Sequence, residues 1–149
     1  MTSFLYIATT VCIGLMIGTE FAVSAFINPV LRRLEDRAQA RAISLFATRL
    51  GRAMPFWYGL SLLLLVVGIV VERHKPGVKL LIAASAIWIV VIVLTVLFLV
   101  PINNRMMLLD AASFPEEAQR EHRRWTVLHH LRVAALVVAM VCFLLAAQG

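Results

Sequence analysis

The hydrophobic and polar positions divide the chain into four apolar runs, Phe4–Ile27, Pro55–Val71, Val78–Val100 and Val127–Ala147, with polar stretches between them. None alternates with the period of two that marks a half-buried strand. Each has roughly the ~20 residues that a helix rising ~1.5 Å per residue needs to cross ~30 Å of hydrocarbon. The second run is the shortest, at 17 residues, and borrows from its flanks. In lipid only helices and closed barrels satisfy every backbone group. The pattern therefore predicts an all-α, polytopic membrane protein, a single domain over residues 1–149 built as a four-transmembrane-helix bundle.

The polar stretches carry patterns of their own. In LEDRAQARAISLFATRLGRAM (residues 34–54), Ala38, Ala42, Leu45, Phe46 and Leu50 recur at helical spacing with arginines between them. This predicts an amphipathic helix lying on the membrane surface between the first two spans. RHKPG (residues 73–77) reads as a turn. DAASFPEEAQREHRRW (residues 110–125) predicts a loop at Ser113–Pro115. A helix then opens with Glu116 and Glu117, the charge order that the helix dipole favours, and runs into the fourth span.

Composition fits this picture. A chain of 149 residues that is 62% apolar and 15% charged has more apolar surface than a soluble domain of that size can hide. Glu20 inside the first run, and the absence of any basic residue before Arg32, argue for a retained span rather than a cleaved signal. Cys12 and Cys142 lie inside spans and read as small apolar filler, not as a disulfide framework.

The net charge of +6 is distributed as topology requires. The loops at 28–54 and 101–126 carry ten arginines, and the middle loop carries only Arg73, Lys75 and Lys79. The positive-inside rule places both arginine-rich loops in the cytoplasm and both termini outside a cell membrane, here an inner membrane. The partners implied are the lipid bilayer, anionic headgroups included, and an apolar small molecule, not nucleic acid. A homo-oligomer is compatible with the pattern.

Ionisable groups inside a span cost on the order of 3 kcal/mol at its centre, so each raises a functional question. Glu20 lies seven residues from the inner end of the first span, or ~10 Å deep. Thr9, Met16, Ser24 and, more loosely, Asn28 share its face, while Gly14 and Gly18 suit close packing on the other. In the fourth span HRRWTVLHHLR places His122, Trp125, His129 and Arg132 on one face, and His130 points about 100° away. Arg132 sits at about the depth of Glu20, so an ion pair between them would lower the cost of both.

The same end of the bundle receives FLVPINNRMM, with Pro101, Asn103, Asn104 and Arg105 leaving the third span. Asn28-Pro29 arrives there from the first span and MPFWY (Met54 to Tyr58) opens the second. Polar and aromatic groups thus converge on one end, while the other end is almost purely aliphatic. The plainer readings are helix ends at Asn28-Pro29 and Pro101, a belt of interfacial aromatics at Trp57, Tyr58 and Trp125, and a structural Glu20–Arg132 pair.

TEFAVSAFINPVL, MPFWY, VPINNRM and WTVLHHLR, in this order on four spans, resemble the anthrone oxygenase-like family of small four-helix membrane proteins. The likeness is strongest at Pro101, Asn103, Asn104, Arg105, Trp125, His129 and Arg132. It implies oxidation of an anthrone-type aromatic by molecular oxygen to a quinone. Such a reaction needs a base for a carbon-bound proton, for which Glu20 and His129 are the candidates. It also needs donors for the developing oxyanion, here Asn103, Asn104 and Arg132. A flat substrate would meet Met54, Trp57 and Trp125, with Asn28, Tyr58 and Arg105 nearby. Chemistry without a cofactor is one version. In the other, Glu20 with His129, His122 or an Asn carbonyl holds iron or copper, although His122 and His129 are ~10 Å apart along one helix. Two other classes compete. A proton-coupled small-molecule transporter would need an unpaired Glu20. An accessory subunit of a membrane complex would have the polar cluster fully packed.

Overall fold

The structure, a computed structural model, describes residues 3–109, 115–146 and 148. Among these residues the chain forms four long helices and no strand: α1 (Ser3–Leu31), α2 (Asp36–Val71), α3 (Val78–Met107) and α4 (Glu116–Ala146). Each is long and apolar enough to cross a membrane. Consecutive helices pack on one another and α4 returns to α1, which closes a four-helix bundle of multi-pass membrane type. The outward faces are apolar, with Leu15, Leu63, Val93 and Val138 all exposed. A bilayer solvates such a surface and water does not. The loop expected at Ser113–Pro115 and the span end at Ala147 fall partly outside the described residues.

The amphipathic segment between the first two spans is helical, but it is not a separate surface helix. It is continuous with the second span in a single helix of 36 residues that contains Pro55. The reason is that its apolar seam has a protein partner. Ala40, Ile43 and Ala47 bury against Ile102 and Met106 of α3, Ala118 of α4 and Leu31 of α1. That seam lies beside the one expected from the sequence, and Leu45 and Phe46 remain exposed.

The prolines at the arginine-rich end also do not stop helices. A proline offers no N–H to the carbonyl four residues back, and its ring crowds that carbonyl. Here the helix widens by one residue ahead of Pro29 and of Pro101, while Pro55 is carried within continuous α-helix. The Asn28 N–H donates to the Val23 carbonyl before Pro29, and the Val100 N–H donates to the Thr95 carbonyl before Pro101. Two π turns result, Val23–Ile27 and Thr95–Leu99, and the helices continue to Leu31 and Met107. Such insertions re-aim side chains and frequently mark functional sites.

Close approach in the bundle occurs at glycines other than those expected. A Cβ on Gly14 would reach only the Met140 Cε at 3.8 Å, and one on Gly18 would meet nothing within 4 Å. A Cβ on Gly77 would collide with the Ala146 carbonyl oxygen, and one on Gly51 would lie 2.9 Å from Asn103 Nδ2. The packed interior has two clusters. One holds Ile13, Met16, Leu65, Trp88, Leu136 and Phe143. The other holds the α2 seam with Leu31, Ile102 and Met106.

Candidate functional site

A cavity of about 300 Å³ lies where the two clusters meet, and all four helices line it. Leu31, Ile43, Leu50, Met54, Ile92 and Leu99 make most of its wall apolar. Its polar groups come from Glu20 and Asn28 on α1, Tyr58 on α2, Thr95 and Asn103 on α3, and His122, Trp125, His129 and Arg132 on α4. A largely apolar hollow with a few convergent polar groups is the ordinary form of a small-molecule site.

Glu20 is the centre of the polar group. It is 3% exposed. Arg132 Nη2 donates to its Oε2 at 2.6 Å, and the Tyr58 hydroxyl donates to its Oε1 at 3.1 Å. A buried carboxylate is tolerated when it is paired and hydrogen-bonded in this way. The depth match read from the sequence is thus a direct contact between helices.

His129 is 1% exposed and its partners fix its tautomer. Nε2 lies 3.0 Å from the Glu20 backbone carbonyl, which can only accept, so Nε2 carries the proton. Nδ1 then accepts from Arg132 Nη2 at 2.8 Å, and its 3.2 Å approach to Glu20 Oε2 is a contact without a shared proton. The imidazole is neutral with both nitrogens engaged. It orients Glu20 and Arg132 and has no lone pair left for a substrate proton. Between the two candidate bases, the geometry favours Glu20.

The same contacts test the metal version. The Trp125 indole is stacked between the imidazoles, its centroid 6.0 Å from His122 and 4.6 Å from His129. A ring wedged there keeps the two histidines from converging on one ion. Nδ1 of His129 and Oε2 of Glu20 both face the Arg132 guanidinium, a cation where a metal would need to sit. No three His, Cys, Asp or Glu side chains group as a ligand set among the described residues. The donor set does not fit iron or copper.

The remaining candidates divide. Asn28, Met54, Tyr58, Asn103 and Trp125 line the cavity; Trp57, Asn104 and Arg105 do not. Trp57 donates its Nε1–H to the Cys12 carbonyl at 3.1 Å and packs against the first core cluster. Asn104 is exposed. Arg105 grips Glu121 through Nε at 2.8 Å and Nη2 at 2.6 Å, which ties α3 to α4 at the surface. Asn103 uses Nδ2 on the Ala47 carbonyl of α2 at 3.2 Å, a bond that Gly51 makes room for. Ser44 reinforces this junction by donating to the Met107 carbonyl at 3.0 Å, at the end of α3. The Pro-Ile-Asn-Asn-Arg exit therefore fastens α3 to α2 and α4. Asn104, expected as an oxyanion donor, lies outside the cavity lining.

Among the cavity residues that the sequence did not single out, Thr95 matters most. Thr95 sits where the second π turn begins, and its hydroxyl is buried without a hydrogen-bond partner. Its signal was faint: it is the one polar residue in the apolar run from Ile89 to Val100.

The family model described as anthrone oxygenase matches residues 44–142. No curated protein and no solved structure matches the chain. The matched stretch covers most of the chain and includes Tyr58, Asn103, Trp125, His129 and Arg132, while Glu20 and Asn28 precede it. The chain belongs to the anthrone oxygenase family and is a membrane protein of that family.

Proposed function

Proceeding from membership of the anthrone oxygenase family, we propose that the chain oxidises a flat, apolar aromatic ketone of anthrone type with molecular oxygen, in the cavity between the two cores. The observation that carries this reading is a buried, paired carboxylate at the wall of a largely apolar hollow. A substrate dissolved in the bilayer reaches such a hollow between helices. The charge distribution supports a cytoplasmic position in the cell membrane for this end of the bundle.

In the reaction Glu20 takes a proton from the methylene carbon of the ketone, and the electron pair moves into the ring as an enolate. The unpartnered Nε–H of Arg132 is placed to stabilise the enolate oxygen. Molecular oxygen then adds at the carbon that lost the proton, and that proton returns from Glu20 to give a hydroperoxide. Loss of the second hydrogen from the same carbon, with cleavage of the O–O bond, yields a carbonyl and one water. One oxygen molecule is consumed per ketone: one atom enters the quinone and the other leaves as water. Tyr58 and His129 are positioning residues, since both act through Glu20 and Arg132.

Transport is less well supported, because a carboxylate that alternates between protons and a cation cannot keep Arg132 at 2.6 Å throughout its cycle. The test is oxygen uptake and quinone formation by the purified protein in mild detergent with an anthrone as substrate. Glu20→Gln should lower the rate ~10²–10⁴-fold, the range expected for loss of a general base. Wild-type protein that oxidises the anthrone no faster than empty micelles refutes the reading.

A further inference from the structure

Beyond the Arg132 Nε–H, which the enolate oxygen takes, the cavity has unpartnered polar groups that this chemistry does not use. Among the described residues, buried side-chain atoms without a hydrogen-bond partner include Asn28 Nδ2, Thr95 Oγ1 and Arg132 Nε, and all three residues line the cavity. Asn28 is 2% exposed. Burying such groups without partners is costly, so their concentration around one hollow needs an explanation.

Thr95 shows that the pattern is specific. A threonine in a helix normally satisfies its hydroxyl on the carbonyl four residues back. Thr9, Thr10, Thr19, Thr48 and Thr126 all do so, at 2.7–2.9 Å. Thr95 does not. It starts one π turn and Asn28 follows the other, so each widened turn delivers one unpartnered polar side chain to the cavity. Arg132, for its part, has spent Nη2 on Glu20 and His129 and is left with Nε.

From these groups we propose that Asn28 and Thr95 form a recognition subsite for the neutral oxygen functions of the ligand, and that the site selects oxygenated over bare aromatic skeletons. The charge balance sets the ligand class. Asn28 and Thr95 are neutral donors, and Arg132 is already neutralised by Glu20, so the cavity has no spare cation for a carboxylate or phosphate. It fits an uncharged, flat molecule that carries keto or hydroxyl oxygens at more than one edge. The subsite rests on the oxygenase reading for its aromatic skeleton. The choice of oxygen pattern comes from Asn28 and Thr95 alone.

Binding separates the two. Wild type, Thr95→Val, Thr95→Ser and Asn28→Leu in detergent are titrated with anthracene, which has no oxygen, and with anthraquinone, which has one at each edge of its central ring. The readout is loss of tryptophan emission, to which Trp125 at the cavity wall contributes. Thr95→Val and Asn28→Leu should each weaken anthraquinone binding about threefold to tenfold, the loss of one neutral hydrogen bond, and leave anthracene binding unchanged. Thr95→Ser should behave as wild type. Both apolar variants should also melt at higher temperature than wild type when empty, because each removes a buried group without a partner. A merely structural pair would lower it.

Variants that melt like wild type and bind both ligands unchanged, or lose both equally, overturn the subsite and leave the oxygenase reading intact. Wild type that binds neither ligand overturns both. The expected binding pattern in a protein that fails to oxidise an anthrone supports the subsite and removes only the oxidation.

Discussion

The Glu20–Arg132 pair is the feature whose energetics can be worked out most fully. Each charge is buried in a span and each is the other's main compensation, at 2.6 Å. Arg132→Met would leave the carboxylate with only the Tyr58 hydroxyl. Glu20→Leu would leave the guanidinium facing a neutral imidazole. Breaking one side of a buried pair costs about 3–5 kcal/mol. Glu20→Leu adds about 1 kcal/mol for the Tyr58 hydroxyl, which loses its acceptor. The double variant leaves no uncompensated charge, so only the smaller hydroxyl cost remains, about 1–2 kcal/mol. The coupling between the two sites is then at least about 5 kcal/mol, above the usual range for residues in contact, as a buried pair of full charges requires.

Equilibrium unfolding of the four proteins in mixed micelles, followed by tryptophan fluorescence, measures this coupling directly. Additive single effects, with the double variant as unstable as the sum, would refute the ion-pair reasoning. The same proteins separate support from chemistry. The double variant should be nearly as stable as wild type and yet inactive in oxygen uptake, because it has no base. A stable and active double variant would show that the pair is structural and that the base lies elsewhere.

Two further predictions concern the helix junctions. Gly51→Ala gains up to about 1 kcal/mol of helix propensity, but its Cβ would lie 2.9 Å from Asn103 Nδ2 and displace the bond to Ala47. It should be close to neutral in wild type and stabilising by about 1 kcal/mol in an Asn103→Ala background, where there is no amide to displace; equal effects in both backgrounds would refute the contact. Arg105 pairs with Glu121 at the surface and is 54% exposed, so Arg105→Ala should lower the melting temperature only slightly and leave anthraquinone affinity unchanged. A loss of affinity would return Arg105 to the site.

What the sequence made legible and what it hid follow from one property of lipid. An unpaired charge in a span is so unfavourable that Glu20 and Arg132 had to answer each other, and helical geometry was enough to match their depth and face. His129 followed from the same face, because Arg132 is three residues away on α4. The prolines misled for a related reason. In water a proline near a polar stretch ends a helix, because the freed carbonyls are met by solvent. In a bundle, neighbouring helices and local π turns re-satisfy the backbone, and the helix continues. Pro29, Pro55 and Pro101 therefore lie inside helices, and the amphipathic segment before Pro55 joins the second span. The π turns in turn decide which side chains reach the cavity. Thr95 did not register as a site residue because it carries no charge and is a single polar residue in an apolar run, which a membrane span tolerates. Asn28 was legible from its place beside Pro29 and, loosely, from the Glu20 face. The residues that carry charge were thus legible from cost alone, and those that carry selectivity depended on where the backbone widens.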